Sequence, residues 1–521
     1  MSNSPITVHH AVRDLTQSTK EALHTAHRWN ELAEKFQERY GSPPTHIVRA
    51  PGRVNIIGEH IDYALFGVLP AAIEKELVIA IRATPESKGL VEVDNMNSKY
   101  TKASFTALRR SESKDGGKDQ EGEWDLAINP KGLRWESYVK AGYLGVLERF
   151  FSKDTKADPV GLQALFDSTV PAGSGVSSSA ALIVASTLAF LVANDKLSSI
   201  TKFDLVQMSV GNEKRVGVNS GGMDQSASIL SAPGHALYIS FYPSLQVSPV
   251  PIPSSADNPI AFLVANSLTV SNKAETGKVR YNLRVVETLV GAKILANILG
   301  VKTGEEERAA YREVLQRWRG EKDSEEALKE EITALLEGGY LEKLKGKEQL
   351  GVTLEEMVEM SGLSSDVFHK VFLSWVEVEA TYFQLYKRAL HVFTEARRVL
   401  EFRDLCRQSG PSLPEKLGEL MDASQKSCAE LFECSCPELD ELVGLAKSLG
   451  AYGARLTGVS YFLSGAGWGG CACILLKEGD VVDFMKQLRA SYGPYKHLDD
   501  ATFAETCFAT KPAEGACVFT L

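Results

Sequence analysis

The sequence predicts an α+β fold in two lobes. Three observations carry that expectation: runs of β-branched and apolar residues in the first half, a long mixed-charge helical stretch in the centre, and a return to strand character at Cys471–Leu476. With 521 residues, and roughly 150 per domain, the chain is long enough for two cores with a cleft between them. Taken in order, Asn30–Tyr40 (NELAEKFQERY) has helical spacing and stops at Gly41, with Pro43 and Pro44 just beyond. Thr45–Ala50 and Leu77–Thr84 read as strands, so much of Pro51–Pro70 between them is expected to be turn or loop. Ser111–Glu123 is charged, glycine-containing and free of apolar side chains, as a solvated surface loop requires. Leu182–Ala193 is an apolar helical run. From Glu305 to Glu348 the charges are mixed and Leu328, Ile332, Leu335 and Leu336 form one helical stripe, which predicts helical hairpins. Val367–Leu405 continues the helical middle as one long stretch. There is no internal repeat, and the division expected is 1–255 for the first lobe and 256–521 for the second, the latter carrying a helical insertion near 305–350.

Charge and composition exclude several classes of function. Lys and Arg number 57 against 67 Asp and Glu, a net charge of −10 with no long basic run, which argues against nucleic-acid binding. The longest nearly apolar stretch, Ala180–Ala193, falls short of the ~20 residues of a membrane span. Residues 1–15 (MSNSPITVHHAVRDL) carry two His and an Arg where a secretory signal needs an apolar run, so a cytoplasmic protein is expected. All eight Cys lie between Cys406 and Cys517 without C-x-x-C spacing, as reduced structural thiols would.

Four segments carry candidate chemistry. In Val170–Ala181 (VPAGSGVSSSAA), Gly173 and Gly175 let backbone approach a ligand, and Ser177, Ser178 and Ser179 precede a helix whose N-terminus favours anions. This is either a phosphate cradle or a Gly/Ser turn that caps a helix; the G-x-x-x-x-G-K-[ST] pattern occurs nowhere. In Gly217–Gln225 (GVNSGGMDQ), Asp224 is placed either to take a proton from a substrate hydroxyl or to cap the helix Ser226–Leu230. Arg53–Tyr63 (RVNIIGEHIDY) gathers Arg53, Glu59, His60 and Asp62 around Gly58, a density of donors and acceptors that suits a polyhydroxylated ligand or an ordinary charged turn; as a metal site it is poor. Gly465–Gly470 (GAGWGG) formally satisfies G-x-G-x-x-G, but the strand that follows it excludes a dinucleotide fingerprint.

Together these segments resemble the small-molecule kinase superfamily of galactokinase, homoserine kinase, mevalonate kinase and phosphomevalonate kinase, and within it the galactokinase branch. Gly52–Asp62 (GRVNIIGEHID) is similar to the galactokinase signature, Pro171–Ala181 to the family's phosphate loop, and Gly221–Gln225 (GGMDQ) to its catalytic segment, in the family's order. Trp135–Lys140, Ser271–Arg284 and Ser435–Asp440 add support, and the resemblance runs from about residue 30 to the end. It implies a two-lobed kinase fold: a first lobe with mixed sheet and helices, and a second with a ferredoxin-like sheet plus helical insertions. The implied activity is transfer of the γ-phosphoryl group of ATP to the 1-hydroxyl of α-D-galactose, with magnesium, as the entry to galactose catabolism. By the same resemblance Asp224 acts toward that hydroxyl and Arg53 stabilises charge on the phosphoryl group, which matches what phosphoryl transfer needs. Arg53, Glu59, His60, Asp62, Gly221, Asp224 and Tyr281 would contact the sugar. Gly173, Gly175, Ser177, Ser178, Ser179, Ser271, Asn272, Lys273 and Trp135 would hold the nucleotide, and Ser179 and Glu213 would ligate magnesium, which keeps most of its shell as water and phosphate oxygen.

The alternatives implied are an N-acetylgalactosamine kinase, and a bifunctional enzyme that also senses galactose and ATP and binds a transcriptional repressor. One departure stands out. Relatives carry an unbroken stretch like RLTGAGWGG, whereas here Arg455–Gly458 (RLTG) and Ala466–Gly470 (AGWGG) are separated by Val459–Gly465 (VSYFLSG). The insertion costs little closure entropy but sits where a glycine turn should support the active site.

Overall fold

The computed structural model describes residues 4–15, 19–109, 124–129, 132–152, 157–217, 221–253, 259–269, 280–320, 324–346, 351–410, 412–459 and 469–521. Its strands are β1 (Thr7–His9), β2 (His46–Ile57), β3 (Leu69–Thr84), β4 (Leu90–Asn95), β5 (Ala103–Thr106), β6 (Leu108–Arg109), β7 (Trp124–Asp125), β8 (Gly161–Ser168), β9 (His235–Ser240), β10 (Gln246–Pro251), β11 (Ile260–Asn266), β12 (Gly453–Val459), β13 (Gly470–Lys477), β14 (Cys507–Thr510) and β15 (Cys517–Thr520). The first lobe is built on a mixed sheet of seven strands in the order β1-β15-β2-β3-β8-β4-β5. Pairing is antiparallel except at β1 with β15 and β4 with β8. Helix α1 (Thr19–Tyr40) covers one face with Trp29, Leu32 and Phe36 against Ile47, Val78 and Leu165. On the other side α3 (Ser178–Ala193) and α5 (Met223–Leu230) pack on β2 and β3, with α2 (Trp135–Phe150) and α4 (Lys202–Arg215) packed against α3. Helix α3 is apolar nearly all round and correspondingly buried, as a core helix must be.

The second lobe carries four antiparallel strands in the order β12-β13-β11-β14. Between β11 and β12 lies a helical block: α6 (Tyr281–Leu299), α7 (Tyr311–Arg319), α8 (Glu325–Glu337), α9 (Leu385–Cys406), α10 (Leu413–Ser427) and α11 (Pro437–Ser448). Between β13 and β14 come α12 (Val481–Ser491) and α13 (Asp500–Thr506). That succession and strand order are ferredoxin-like, with Leu263, Ile474, Phe484 and Leu488 in a core of their own. The chain then returns to the first lobe, where β15 fills the gap between β1 and β2.

Three expectations change. The segment after Ala50 is not a loop: β2 continues to Ile57 through two register shifts, one at Pro51/Arg53 and one at Asn55/Ile57. Pro51 has no N–H to give the ladder, and Gly52 lies where a Cβ would come within 2.7 Å of the Val176 carbonyl oxygen, so the strand accepts both breakers at a bulge. The long helix expected over Val367–Leu405 is broken at 375–384, where Val376, Val378 and Thr381 are β-branched and Phe383 bridges to Val352. The first helix starts at Thr19, well before Asn30. The helical hairpin of 305–350 is present as α7 and α8, with Leu328, Ile332 and Leu335 buried. All eight cysteines are free and buried. No helix among the described residues is long and apolar enough to cross a membrane. The expected loop Ser111–Glu123 lies outside the described residues.

Candidate functional site

Strand β2 carries Arg53 to the centre of the molecule, where three segments distant in sequence meet. The Arg53 Nε and one terminal nitrogen each lie 2.8 Å from Asp224 Oδ1, and the other terminal nitrogen donates to the Gly175 carbonyl oxygen at 2.7 Å. Asp224 Oδ2 accepts a short hydrogen bond from the Ser177 hydroxyl. Neither segment takes the helix-capping role that the sequence also allowed. Helix α5 is capped by Gly222 at φ 95°, so Asp224 stands in its first turn and spends its carboxylate on Arg53 and Ser177. Ser177 precedes α3 in a left-handed conformation (φ 59°) without capping it through its hydroxyl. Holding a non-glycine residue there costs energy that the Ser177–Asp224 bond offsets.

The phosphate-loop candidate wraps this pair. Gly173 and Gly175 have φ of 74° and 82°, and a Cβ on Gly175 would lie 2.3 Å from the Gly458 carbonyl oxygen. Gly458 (φ 62°) presses back, its would-be Cβ 1.8 Å from the Gly175 oxygen and 3.0 Å from the Arg53 guanidinium. The Cys471 thiol, from β13, donates to the Ser174 carbonyl oxygen at 2.9 Å. The RLTG half of the interrupted motif therefore reaches the loop, with Val459 and Gly470 paired across β12 and β13. Of the insertion only Val459 is described. Ser178 and Ser179 occupy the first turn of α3, whose N–H groups have no partner within the helix. Ser179 Oγ and Glu213 Oε1 lie 3.5 Å apart, with Gln225 donating to the other Glu213 oxygen. Two hard oxygen donors at that spacing fit a magnesium ion completed by phosphate and water, although no cluster of three or more His, Cys, Asp or Glu exists among the described residues.

Beyond the end of β2, Gly58 (φ 106°) and His60 (φ 58°) make a tight turn. Glu59 Oε2 receives Arg455 at 3.2 Å and Asn55 at 3.4 Å. His60 Nδ1 lies 3.0 Å from the Tyr63 hydroxyl, and its ring sits 4.9 Å from Phe432 and 6.0 Å from Tyr281. Burial, reinforced by Arg284, Arg455 and Arg388, lowers the His60 pKa to about 4, so the ring is neutral near pH 7. Asp62 packs against Gly221, where a Cβ would come 2.6 Å from its Oδ2. Burial first, and then the charge of Asp224, raise the Asp62 pKa to about 6. Arg53, Glu59, His60, Asp62, Gly221, Asp224 and Tyr281 are thus brought together, with Arg53 and Asp224 also bonded to the loop. Trp135 opens α2, where its indole N–H donates to the Thr101 carbonyl oxygen and its ring packs edge-on against Phe166. Ser271, Asn272 and Lys273 lie outside the described residues.

Sequence reasoning passed over the residues that hold this turn from behind. Arg455 is fully buried and also donates to the Asn55 carbonyl oxygen (2.7 Å) and, from its Nε, to the Ser424 hydroxyl oxygen (3.0 Å). Thr457 accepts from the Asn55 N–H at 2.8 Å. His391 and Glu395, on α9, bond the backbone of residues 58 and 59. The signal available was a His and a Glu four apart on the apolar face of a helix.

Comparison with known proteins agrees with this geometry. The galactokinase galactose-binding signature matches residues 34–83, the N-terminal domain of the wider kinase superfamily matches residues 137–232, and its C-terminal domain matches residues 403–493. A galactokinase of Dictyostelium discoideum is 34% identical, covering 97% of both chains, and one of Saccharomyces cerevisiae is 34% identical, covering 98% of both. In fold, the chain is similar to the crystal structure of Lactococcus lactis galactokinase complexed with galactose, with a TM-score of 0.61 at 23% identity, over 94% of this chain and 99% of that one. Full-length identity at this level, with the signature falling on the Arg53–Asp62 segment and the superfamily domains on the loop and α5, shows that the chain belongs to the galactokinase family.

Proposed function

We infer that the protein is a galactokinase that transfers the γ-phosphoryl group of ATP to the 1-hydroxyl of α-D-galactose, giving galactose 1-phosphate and ADP. The observation that carries this reading is the Asp224 carboxylate fixed between Arg53 and Ser177, where the Arg53–Asp62 segment meets the glycine-serine loop. Asp224 orients the 1-hydroxyl and accepts its proton, while the Arg53 guanidinium faces the charge that develops on the phosphoryl oxygens. Glu59, His60, Asp62, Gly221 and Tyr281 bind the sugar. Gly173, Gly175 and Ser177–Ser179 bind the phosphates, with Trp135 and Ser271–Lys273 assigned to the rest of the nucleotide. Ser179 and Glu213 would hold magnesium, which neutralises phosphate charge when bound. The lobes divide at 255/256 apart from the returning β15, and the protein works in the cytoplasm. A repressor partner, the second role implied by the family, would be read as ligand-dependent binding by an Asp224→Asn protein that does not turn over.

The test is ADP release with magnesium ATP and galactose, N-acetylgalactosamine or no sugar, for the full chain and for one lacking Val459–Gly465. Turnover on galactose by the full chain is expected, because Gly458 already meets Gly175. A strong preference for the N-acetyl sugar would overturn the substrate assignment, and activity only after deletion would mean that the insertion blocks the site.

A pH dependence follows from Asp62. Its folded pKa of about 6 lies above the unfolded value near 3.8, so its contribution to stability is present below the latter and is lost as pH rises through about 6. Galactose hydroxyls need the carboxylate form, so protonation competes with the sugar. Galactose affinity measured by calorimetry should fall about tenfold from pH 7 to pH 5; a flat profile would remove Asp62 from the sugar contacts.

A further inference from the structure

The turn that presents Glu59, His60 and Asp62 ends β2 in the first lobe, yet its backbone is held by the second. Glu395, on α9 and fully buried, directs Oε1 at two successive N–H groups, Gly58 at 3.0 Å and Glu59 at 3.3 Å, and also receives the Ser424 hydroxyl at 2.6 Å. Its Oε2 receives Arg398 at 2.6 Å. Two consecutive N–H groups converging on one oxygen form an anion-binding nest, which here takes a side-chain carboxylate as its guest. One helical turn earlier, His391 Nε2 lies 3.0 Å from the Glu59 carbonyl oxygen, while its Nδ1 lies 2.9 Å from the Ser427 hydroxyl. Burial lowers the His391 pKa to about 4, so the ring is neutral and its Nε2–H donates to that carbonyl. The N–H and the C=O of residue 59 are therefore both engaged by α9, and its side chain is engaged by Arg455.

Although burial alone would raise it, Arg398, Arg455 and the Ser424 bond bring the Glu395 pKa down to about 2, so the nest holds a charged guest across the working pH range. A buried carboxylate is costly unless every oxygen is satisfied, and here each one is. Strict helix packing would place an apolar residue at this position. A buried Glu serves the turn instead, its one oxygen accepting from two N–H groups and its other pairing with Arg398.

We propose that Glu395 is a positioning residue for the sugar, fixing from the second lobe the turn that carries Glu59, His60 and Asp62, so that galactose affinity depends on a side chain that touches no galactose. The proposal rests on the galactokinase reading for its substrate. The test compares the full-length wild type, Glu395→Gln, and Glu395→Gln with Arg398→Leu, by galactose calorimetry without nucleotide, KM for both substrates, and thermal unfolding. Glu395→Gln should weaken galactose binding about 10- to 100-fold and raise the galactose KM in step, because a small misplacement of polar contacts costs that much, with the ATP KM unchanged. The double variant should recover thermal stability, since no Arg398 guanidinium is left there without its carboxylate, without recovering galactose affinity.

A folded Glu395→Gln protein with wild-type galactose affinity, equal losses for both substrates, or restored affinity in the double variant would each overturn the proposal. Should the single variant fail to fold, the double variant is judged alone: weakened galactose with unchanged ATP supports the proposal and unchanged galactose overturns it. Wild type that binds galactose without releasing ADP would sink the kinase reading while leaving the calorimetric comparison in force.

Discussion

Asp224→Asn is expected to lower kcat by about 10²- to 10⁴-fold, the range over which a positioned proton acceptor contributes. Asparagine keeps the shape and one acceptor oxygen, so Arg53 retains a partner besides the Gly175 carbonyl, and the variant should fold. It loses the ability to take the proton from the 1-hydroxyl and hands Arg53 an unneutralised charge next to the incoming phosphates. ATP binding should therefore survive or tighten while turnover collapses, a split that single-turnover ADP release and nucleotide titration measure directly. If kcat stayed within a few fold of wild type, Asp224 would be a structural partner of Arg53 and the reacting centre would lie elsewhere.

The largest stability effect is expected at Arg455. Its guanidinium is fully buried, and it donates to Asn55, meets Ser424 and pairs with Glu59. Arg455→Met fills much of the same volume but leaves the Glu59 carboxylate buried without its cation. Breaking a buried pair in this way costs about 3–5 kcal/mol, much of it the penalty of the charge left behind. Adding Glu59→Gln should return a good part of that loss in denaturant unfolding, while galactose binding stays weak if, as proposed, Glu59 itself contacts the sugar. Equal destabilisation in the single and double variants would mean that Arg455 acts through Asn55 and Ser424 instead.

The cluster of Arg53, Ser177 and Asp224 was legible because its parts lie in short contiguous motifs. Each sits near glycines that let backbone come close, and their order along the chain is what the resemblance rests on. Strand β2 was misread past Ala50 because Pro51 and Gly52 are local breakers, and only the neighbouring strand and the Val176 carbonyl decide that the chain continues extended. The break before α9 was hidden for the converse reason: apolar spacing through 375–384 mimics a helix, while the Gln384 N–H bonds Glu287 at 2.7 Å. Glu395 and His391 were passed over because a His and a Glu four apart on the apolar face of α9 show only that polar groups are buried there, not what they bond. Their meaning comes from the turn packed against them, which is more than 300 residues away in sequence.

The placement of β15 governs the order in which the molecule can be assembled. Arg49, on β2, donates to the Gly515 carbonyl oxygen 466 residues later, and β15 pairs with β2 over four positions. During synthesis, at about 5–20 residues per second, the first lobe emerges early but waits tens of seconds with the edge of β2 unpaired. That edge leaves the backbone of Ile47 and Val48 open to any passing strand until Cys517–Thr520 arrive. A fragment holding only the first lobe keeps this edge open permanently, and a truncation that removes Cys517–Thr520 recreates it.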